Sequence, residues 1–127
     1  MVGIVLISHS ARLAAEVAEL AAQIGGRDVP IAAAGGTDDG RLGTSITKVS
    51  DAITTVDQGD GVVLLMDLGS AVLTARTLLD ESPHPRVFLA DAPFVEGAIS
   101  ALVTSGAGAD VKAVLDAAEE ARHIGKL

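Results

Sequence analysis

Few side chains in this sequence can act as nucleophiles or move protons. Cysteine is absent, and histidine occurs only at positions 9, 84 and 123. His9 lies in Ser8-His9-Ser10, directly after the apolar run Gly3-Ile4-Val5-Leu6-Ile7. Asp67 follows a second such run, in Met66-Asp67-Leu68-Gly69-Ser70. An imidazole with one nitrogen held by a carboxylate keeps one tautomer, and its other nitrogen is free to attack. The carboxylate also stabilises the positive ring that forms when that nitrogen is phosphorylated. Gly36, Thr37, Gly69 and Ser70 stand where loops and helix starts expose backbone N–H groups, which bind phosphate oxygens. The chemistry these residues suit is phosphoryl carriage on His9, oriented by Asp67.

Each residue also has an ordinary reading. A histidine at a strand end is commonly a packed or hydrogen-bonding residue. Asp67 or Ser70 would serve as the N-terminal cap of a helix, and Gly35-Gly36 as a turn. His84 precedes a strand, which puts it at the opposite rim from His9, and His123 is in the tail. Neither has a placed carboxylate or anion-binding turn nearby. The three histidines lack metal-ligand spacing.

The elements that must position these residues follow from periodicity. Gly3–Ile7 is rich in β-branched residues and continuous, as in a strand buried on both faces. From Ala11 the period changes: Leu13, Val17, Leu20 and Ile24 form a helical stripe that ends at Gly25-Gly26. Val29–Ala34 reads as a second strand, followed by the loop from Gly35 to Gly40. Thr44 or Ser45 caps a second helix with the stripe Ile46, Val49, Ile53 and Val56. Val62–Met66 is the third strand, followed by a helix from about Ser70 to Asp80. The break Ser82-Pro83-His84-Pro85 precedes a fourth strand, Arg86–Ala90. A fourth helix follows Pro93, with Val95, Ile99, Leu102 and Val103 on one face. Asp110 caps a last helix carrying Val111, Val114 and Leu115.

Strand and helix thus alternate four times before an extra C-terminal helix. That order predicts an α/β fold with a parallel sheet, right-handed crossovers and helices on both faces. Sites in such sheets form beyond the carboxyl ends of the strands. If strands one and three are neighbours, His9 and Asp67 emerge side by side.

With 127 residues, the chain suits one domain over 1–127. The polar Arg122–Leu127 reads as a tail or the start of a linker. A net charge of −8 repels nucleic-acid phosphates, and only Phe88 and Phe94 are aromatic, so bases find nothing to stack on. No apolar run approaches membrane-spanning length, and no signal-type segment opens the sequence. The expectation is a soluble, cytoplasmic protein without bound metal or cofactor. A dinucleotide-type glycine turn, a P-loop and a nucleophile elbow are all missing. The acidic cluster of a response-regulator receiver is missing too.

Ile4-Val5-Leu6-Ile7-Ser8-His9-Ser10, Ala34-Gly35, Gly43-Thr44, Met66-Asp67-Leu68-Gly69-Ser70-Ala71 and Ala92-Pro93-Phe94-Val95-Glu96-Gly97 together resemble the DhaM family. This family is the phosphotransferase subunit of the phosphoenolpyruvate-dependent dihydroxyacetone kinase. The resemblance implies a fold like mannose-type enzyme IIA domains, with strand order 2-1-3-4. It implies that His9 is the phosphorylated histidine and Asp67 its supporting aspartate. HPr would phosphorylate His9, which would pass the phosphoryl group to ADP held on DhaL, and so serve dihydroxyacetone bound on DhaK. It also implies a homodimer, for which Phe94 beside Val95 is a candidate contact.

Two alternatives share the fold. One is a mannose-type IIA domain that donates to a sugar-specific IIB domain. Those carry a Gly-Gly-[Thr/Ser]-Pro stretch after the aspartate, where this chain has Leu68-Gly69-Ser70-Ala71-Val72. The other is a regulatory module without turnover.

Overall fold

A computed structural model describes all of residues 1–127. The chain runs β1 (Gly3–Ser8), α1 (Ala11–Gly25), β2 (Ile31–Gly35), α2 (Ile46–Val56) and β3 (Val62–Met66). It continues through α3 (Gly69–Glu81), β4 (Val87–Leu89), α4 (Phe94–Gly106), α5 (Val111–Glu120) and a final 3-10 turn, Ala121–His123. The four strands form one parallel sheet in order β2-β1-β3-β4. The alternation of strands and helices, the parallel sheet and the extra C-terminal helix are therefore as the periodicity predicted.

The two sheet faces bury separate aliphatic layers. Ile4, Leu6, Val63 and Leu65 face α1, α4 and α5, where they meet Val17, Leu102 and Val114. Val5, Ile7, Val62 and Leu64 face α2 and α3, against Val49, Ile53, Ala71 and Leu78. Each fully buried Leu, Ile or Val contributes about 1.5–3 kcal/mol. Because both faces of β1 and β3 are covered, these strands are fixed at the centre of the molecule.

The structure differs from expectation in the buried face of α1. Ala14, Val17, Ala21 and Ala22 are buried, while Leu13, Leu20 and Ile24 are exposed. The helix turns its small residues inward, so that it packs close to the sheet and to α4. On α4, Leu102 is buried and Val103 exposed. Strand β2 runs from Ile31 to Gly35 and β4 only from Val87 to Leu89, so both begin later than the spans Val29–Ala34 and Arg86–Ala90 expected from sequence. Ser45, not Thr44, caps α2, accepting from the Lys48 N–H at 3.1 Å. Asp110 caps α5 as expected, accepting from Ala113 at 2.9 Å.

Candidate active site at the carboxyl edge of the central strands

The register of β1 and β3 builds the site. Ile7 pairs with Met66, so the two chains leave the sheet together at Ser8-His9 and Asp67. The Asp67 N–H still donates to the Ile7 carbonyl at 3.1 Å, which extends the ladder one residue past β3. Immediately beyond, β1 turns into α1, whose N-terminal cap is Ser10.

His9 and Asp67 are joined at two points. His9 Nδ1 lies 3.0 Å from Asp67 Oδ1. The His9 backbone N–H donates to Oδ2 at 3.0 Å. Ser8, fully buried, donates its hydroxyl to the same Oδ2 at 2.9 Å and accepts from the Ser10 N–H at 3.0 Å. Burial acts to raise the Asp67 pKa, but the His9 N–H, the His9 ring and the Ser8 hydroxyl outweigh it. The carboxyl is held below its ordinary value. An ionised carboxylate only accepts, so Nδ1 carries the ring proton and Nε2 presents its lone pair. The Ser70 hydroxyl closes on Nε2 and is the donor there.

This disposes of the capping reading of Asp67 and Ser70. The N-terminal cap of α3 is Leu68, with no side-chain hydrogen bond to the helix. Both polar side chains are turned to His9 instead. The N–H groups of Gly69 and Ser70, in the first turn of α3, meet no backbone acceptor. Such groups at the positive end of a helix suit an anion.

Gly36 and Thr37 are placed differently. The Gly36 N–H donates to the Ser8 carbonyl at 3.1 Å, and the Thr37 N–H to the Arg41 carbonyl at 2.9 Å. The Thr37 hydroxyl donates to Asp39. Their donors are spent on β1 and within the loop, so they shape the rim beside His9. Gly36 has φ +76°, which side-chain-bearing residues rarely adopt. At Gly35 a methyl group would stand 2.5 Å from the Ser10 carbonyl, so glycine lets the β2 end pass beneath the start of α1.

His84 is on the opposite rim, as its place before β4 predicted, but it does have a carboxylate partner. Its Nε2 lies 3.1 Å from Asp57 Oδ2, a pair across 27 positions of sequence that no local pattern shows. The Gly59 N–H, and then the His84 ring, hold Asp57 below its ordinary pKa. The His123 ring accepts from Arg122 Nε at 3.3 Å, in the terminal 3-10 turn. Arg122 in turn donates to the Asp91 carboxylate, just past β4.

Three features of the site were not read from sequence. Ser8 locks Asp67 from below. Thr44 and Thr74 join their hydroxyls at 2.7 Å, bridging the α2 and α3 ends of the rim. A cleft of about 450 Å³ opens beside Asp67 between α3 and the end of β4, with Arg76 on its wall. The strand-end rule finds Ser8, but Arg76 lies two turns into a helix, where a charge reads as solvated surface.

A histidine locked by a carboxylate at the carboxyl edge of a 2-1-3-4 parallel sheet is the layout of a phosphotransferase-system IIA domain. A family model described as PTS system fructose IIA component, EIIA-man, matches residues 3–115. The chain belongs to that family, and within it to the DhaM proteins. It is 38% identical over 118 residues to phosphoryl donor subunit DhaM of the PEP-dependent dihydroxyacetone kinase 2 of Listeria innocua, covering 91% of this chain and 94% of that one. It is 44% identical over 124 residues to the Escherichia coli DhaM and 42% identical over 127 residues to that of Klebsiella michiganensis. Those matches take in 92% and 95% of this chain, but the chain spans only about a quarter of those two relatives, 26% and 27%. A crystal structure of a protein of unknown function superposes with a TM-score of 0.85 at 32% identity, covering 100% of this chain and 98% of that one.

Proposed function

We propose that the domain of residues 1–127 is a phosphohistidine carrier that takes a phosphoryl group from HPr on His9 Nε2. It passes that group to ADP held on DhaL, and so supplies the phosphorylation of dihydroxyacetone on DhaK. The carrying observation is the 3.0 Å contact of His9 Nδ1 with Asp67, which leaves Nε2 as the nucleophile. In the first step the P–N bond of the donor breaks as Nε2 forms its own bond to phosphorus. The ring keeps its Nδ1 proton and becomes cationic, and Asp67 balances that charge. In the second step a terminal oxygen of the ADP phosphate attacks phosphorus. The P–Nε2 bond breaks, its electron pair returns to Nε2, and the ring is neutral again. No proton is gained or lost at the histidine. Transfer of this kind needs alignment and charge stabilisation more than covalent chemistry.

The Gly69 and Ser70 N–H groups hold the phosphoryl oxygens in this reading, and Ser70 yields Nε2 to phosphorus. Leu42 and Leu68 stand exposed near the site, as apolar contacts for successive protein partners. No helix is long and apolar enough to cross a membrane, and a partner such as HPr places the work in the cytoplasm. The carrier acts as a homodimer. Phe94 and Val95 are half-buried against the core, so the exposed row Leu13, Leu20 and Ile24 on α1 is the stronger contact face.

The test supplies phosphoenolpyruvate, enzyme I and HPr, and follows label on the chain, then adds DhaL–ADP. Label on His9 that leaves as ATP is the expected result. No uptake, or uptake that only a IIB domain discharges, overturns it.

A further inference from the structure

Arginine and lysine side chains are scarce on this acidic chain, and nearly all are engaged. Arg12 and Arg76 alone hold no protein acceptor. Lys48 and Arg86 hold carbonyls, and the others hold carboxylates. Of those two, Arg76 lines the cleft that Asp67 also lines. Gly69, Val72 and Arg76 fall at i, i+3 and i+7 on α3, one face of the helix. Helical side chains lean toward the N-terminus, so the guanidinium leans toward the end of α3 that meets His9.

The cleft has two carboxylates, and Arg76 pairs with neither. Asp67 gives both oxygens to His9 and Ser8. On the opposite wall, formed by Leu89 to Ala92, Asp91 is bound by Arg122. An arginine without a protein partner, on the wall of a cleft whose carboxylates are held by other side chains, suits an anion brought from outside. The anion with a reason to enter is a phosphate. An acceptor phosphate that approaches phosphorus on Nε2 comes toward the ionised Asp67, which repels it. A guanidinium on the same cleft offsets that repulsion, and its planar fork matches two phosphate oxygens.

We propose that Arg76 and this cleft bind the phosphate of the nucleoside diphosphate acceptor and align it on His9. The proposal rests on the transfer reading above and adds the group that receives the acceptor. The phosphoryl donor brings no second phosphate, so Arg76 serves one half-reaction only.

The experiment measures the two half-reactions separately on the full chain. Label uptake from phospho-HPr gives the first rate. Discharge of the labelled chain by DhaL–ADP in a single turnover gives the second. Arg76→Gln slows discharge about ten- to a hundredfold, the range that loss of a charge-assisted hydrogen bond gives. Uptake changes by less than about twofold, because the fold and His9 are untouched. Arg76→Lys recovers part of the discharge rate, which a packing defect would not allow. Arg27→Gln, which removes an equal charge at the far end of α1, leaves both rates alone. Unchanged discharge in Arg76→Gln overturns the proposal, as does equal slowing of both steps or no recovery with lysine. A wild-type chain that takes no label from HPr, or does not discharge to DhaL–ADP, overturns the transfer reading itself.

Discussion

Asp67 grips His9 at both ends: one carboxylate oxygen meets the ring nitrogen and the other meets the backbone N–H, each at 3.0 Å. The ring direction and the main chain at the end of β1 are therefore set by one side chain. Orientation of the His9 ring and termination of the strand are one event.

His9→Ala abolishes phosphorylation by HPr, whereas His84→Ala and His123→Ala leave it intact. Only His9 stands at the carboxyl edge with its Nδ1 held by a carboxylate and its Nε2 lone pair turned to the rim. The linkage is labile in acid and stable in base, as a P–N bond is and a phosphoserine ester is not. This separates His9 from Ser8 and Ser10, and label that survives acid rules the assignment out.

Asp67→Ala keeps the nucleophile but loses its tautomer lock and its counter-charge. Uptake of label slows at least about tenfold, and by up to about ten-thousandfold, the loss when a catalytic histidine loses its orienting carboxylate. Phosphoprotein still accumulates on long incubation. A rate equal to wild type in rapid-quench measurements would remove Asp67 from the mechanism.

The depressed pKa of Asp67 makes it a source of stability near neutrality. Its contribution is complete above the ordinary aspartate value of about 4 and is lost as pH falls through the lower folded-state value. Asp67→Asn is therefore less stable than wild type at pH 7, and the gap narrows below about pH 4. Urea unfolding at pH 7 and pH 3 measures both gaps. A gap that is constant with pH contradicts the shift.

Gly35→Ala sets a methyl group against the Ser10 carbonyl and the Ala11 backbone. Backbone does not yield as a side-chain tip does, so α1 shifts at its start. The cost is about 1–3 kcal/mol, with slower phosphorylation, because His9 lies between the shifted residues and β1. Thermal unfolding together with label uptake reads both. Gly40→Ala, with open space at its Cβ, bears only the strain of its positive φ and leaves uptake unchanged.

A symmetric dimer is the commonest closed oligomer, and light scattering should return twice the chain mass. Leu20→Glu, at the middle of the exposed apolar row on α1, should shift that mass toward the monomer. A monomer at high concentration in the unaltered chain refutes the dimer, and a dimer unaffected by Leu20→Glu refutes the face.

The parts of the fold that were legible in the sequence share a physical basis. Ile4–Ile7 and Val62–Met66 are apolar without alternation because both sides of those strands are covered. The strand-end rule then leads directly to His9 and Asp67. The buried face of α1 was misjudged because alanine carries little weight in a hydrophobic stripe, although it is what close packing against α4 requires. Gly36 and Thr37 looked like phosphate donors because sequence shows that a loop has N–H groups, not where they point. The Asp57–His84 pair and the Arg122–Asp91 pair join distant segments and leave no local trace. Nothing local in the sequence marks Arg76, because its lack of a partner is a property of its neighbours.

His9 hangs from β1 and Asp67 from β3, and these are the two strands with neighbours on both sides. Their amides belong to the part of the domain that opens only on global unfolding, and should be the slowest to exchange with deuterium. The geometry around His9 is thus as durable as the folded state itself. No closing lid is needed to assemble it, so on the proposed role a partner would meet a target already in register. On the proposed transfer role, the rate would then be set by encounter and departure of partners more than by rearrangement of the domain.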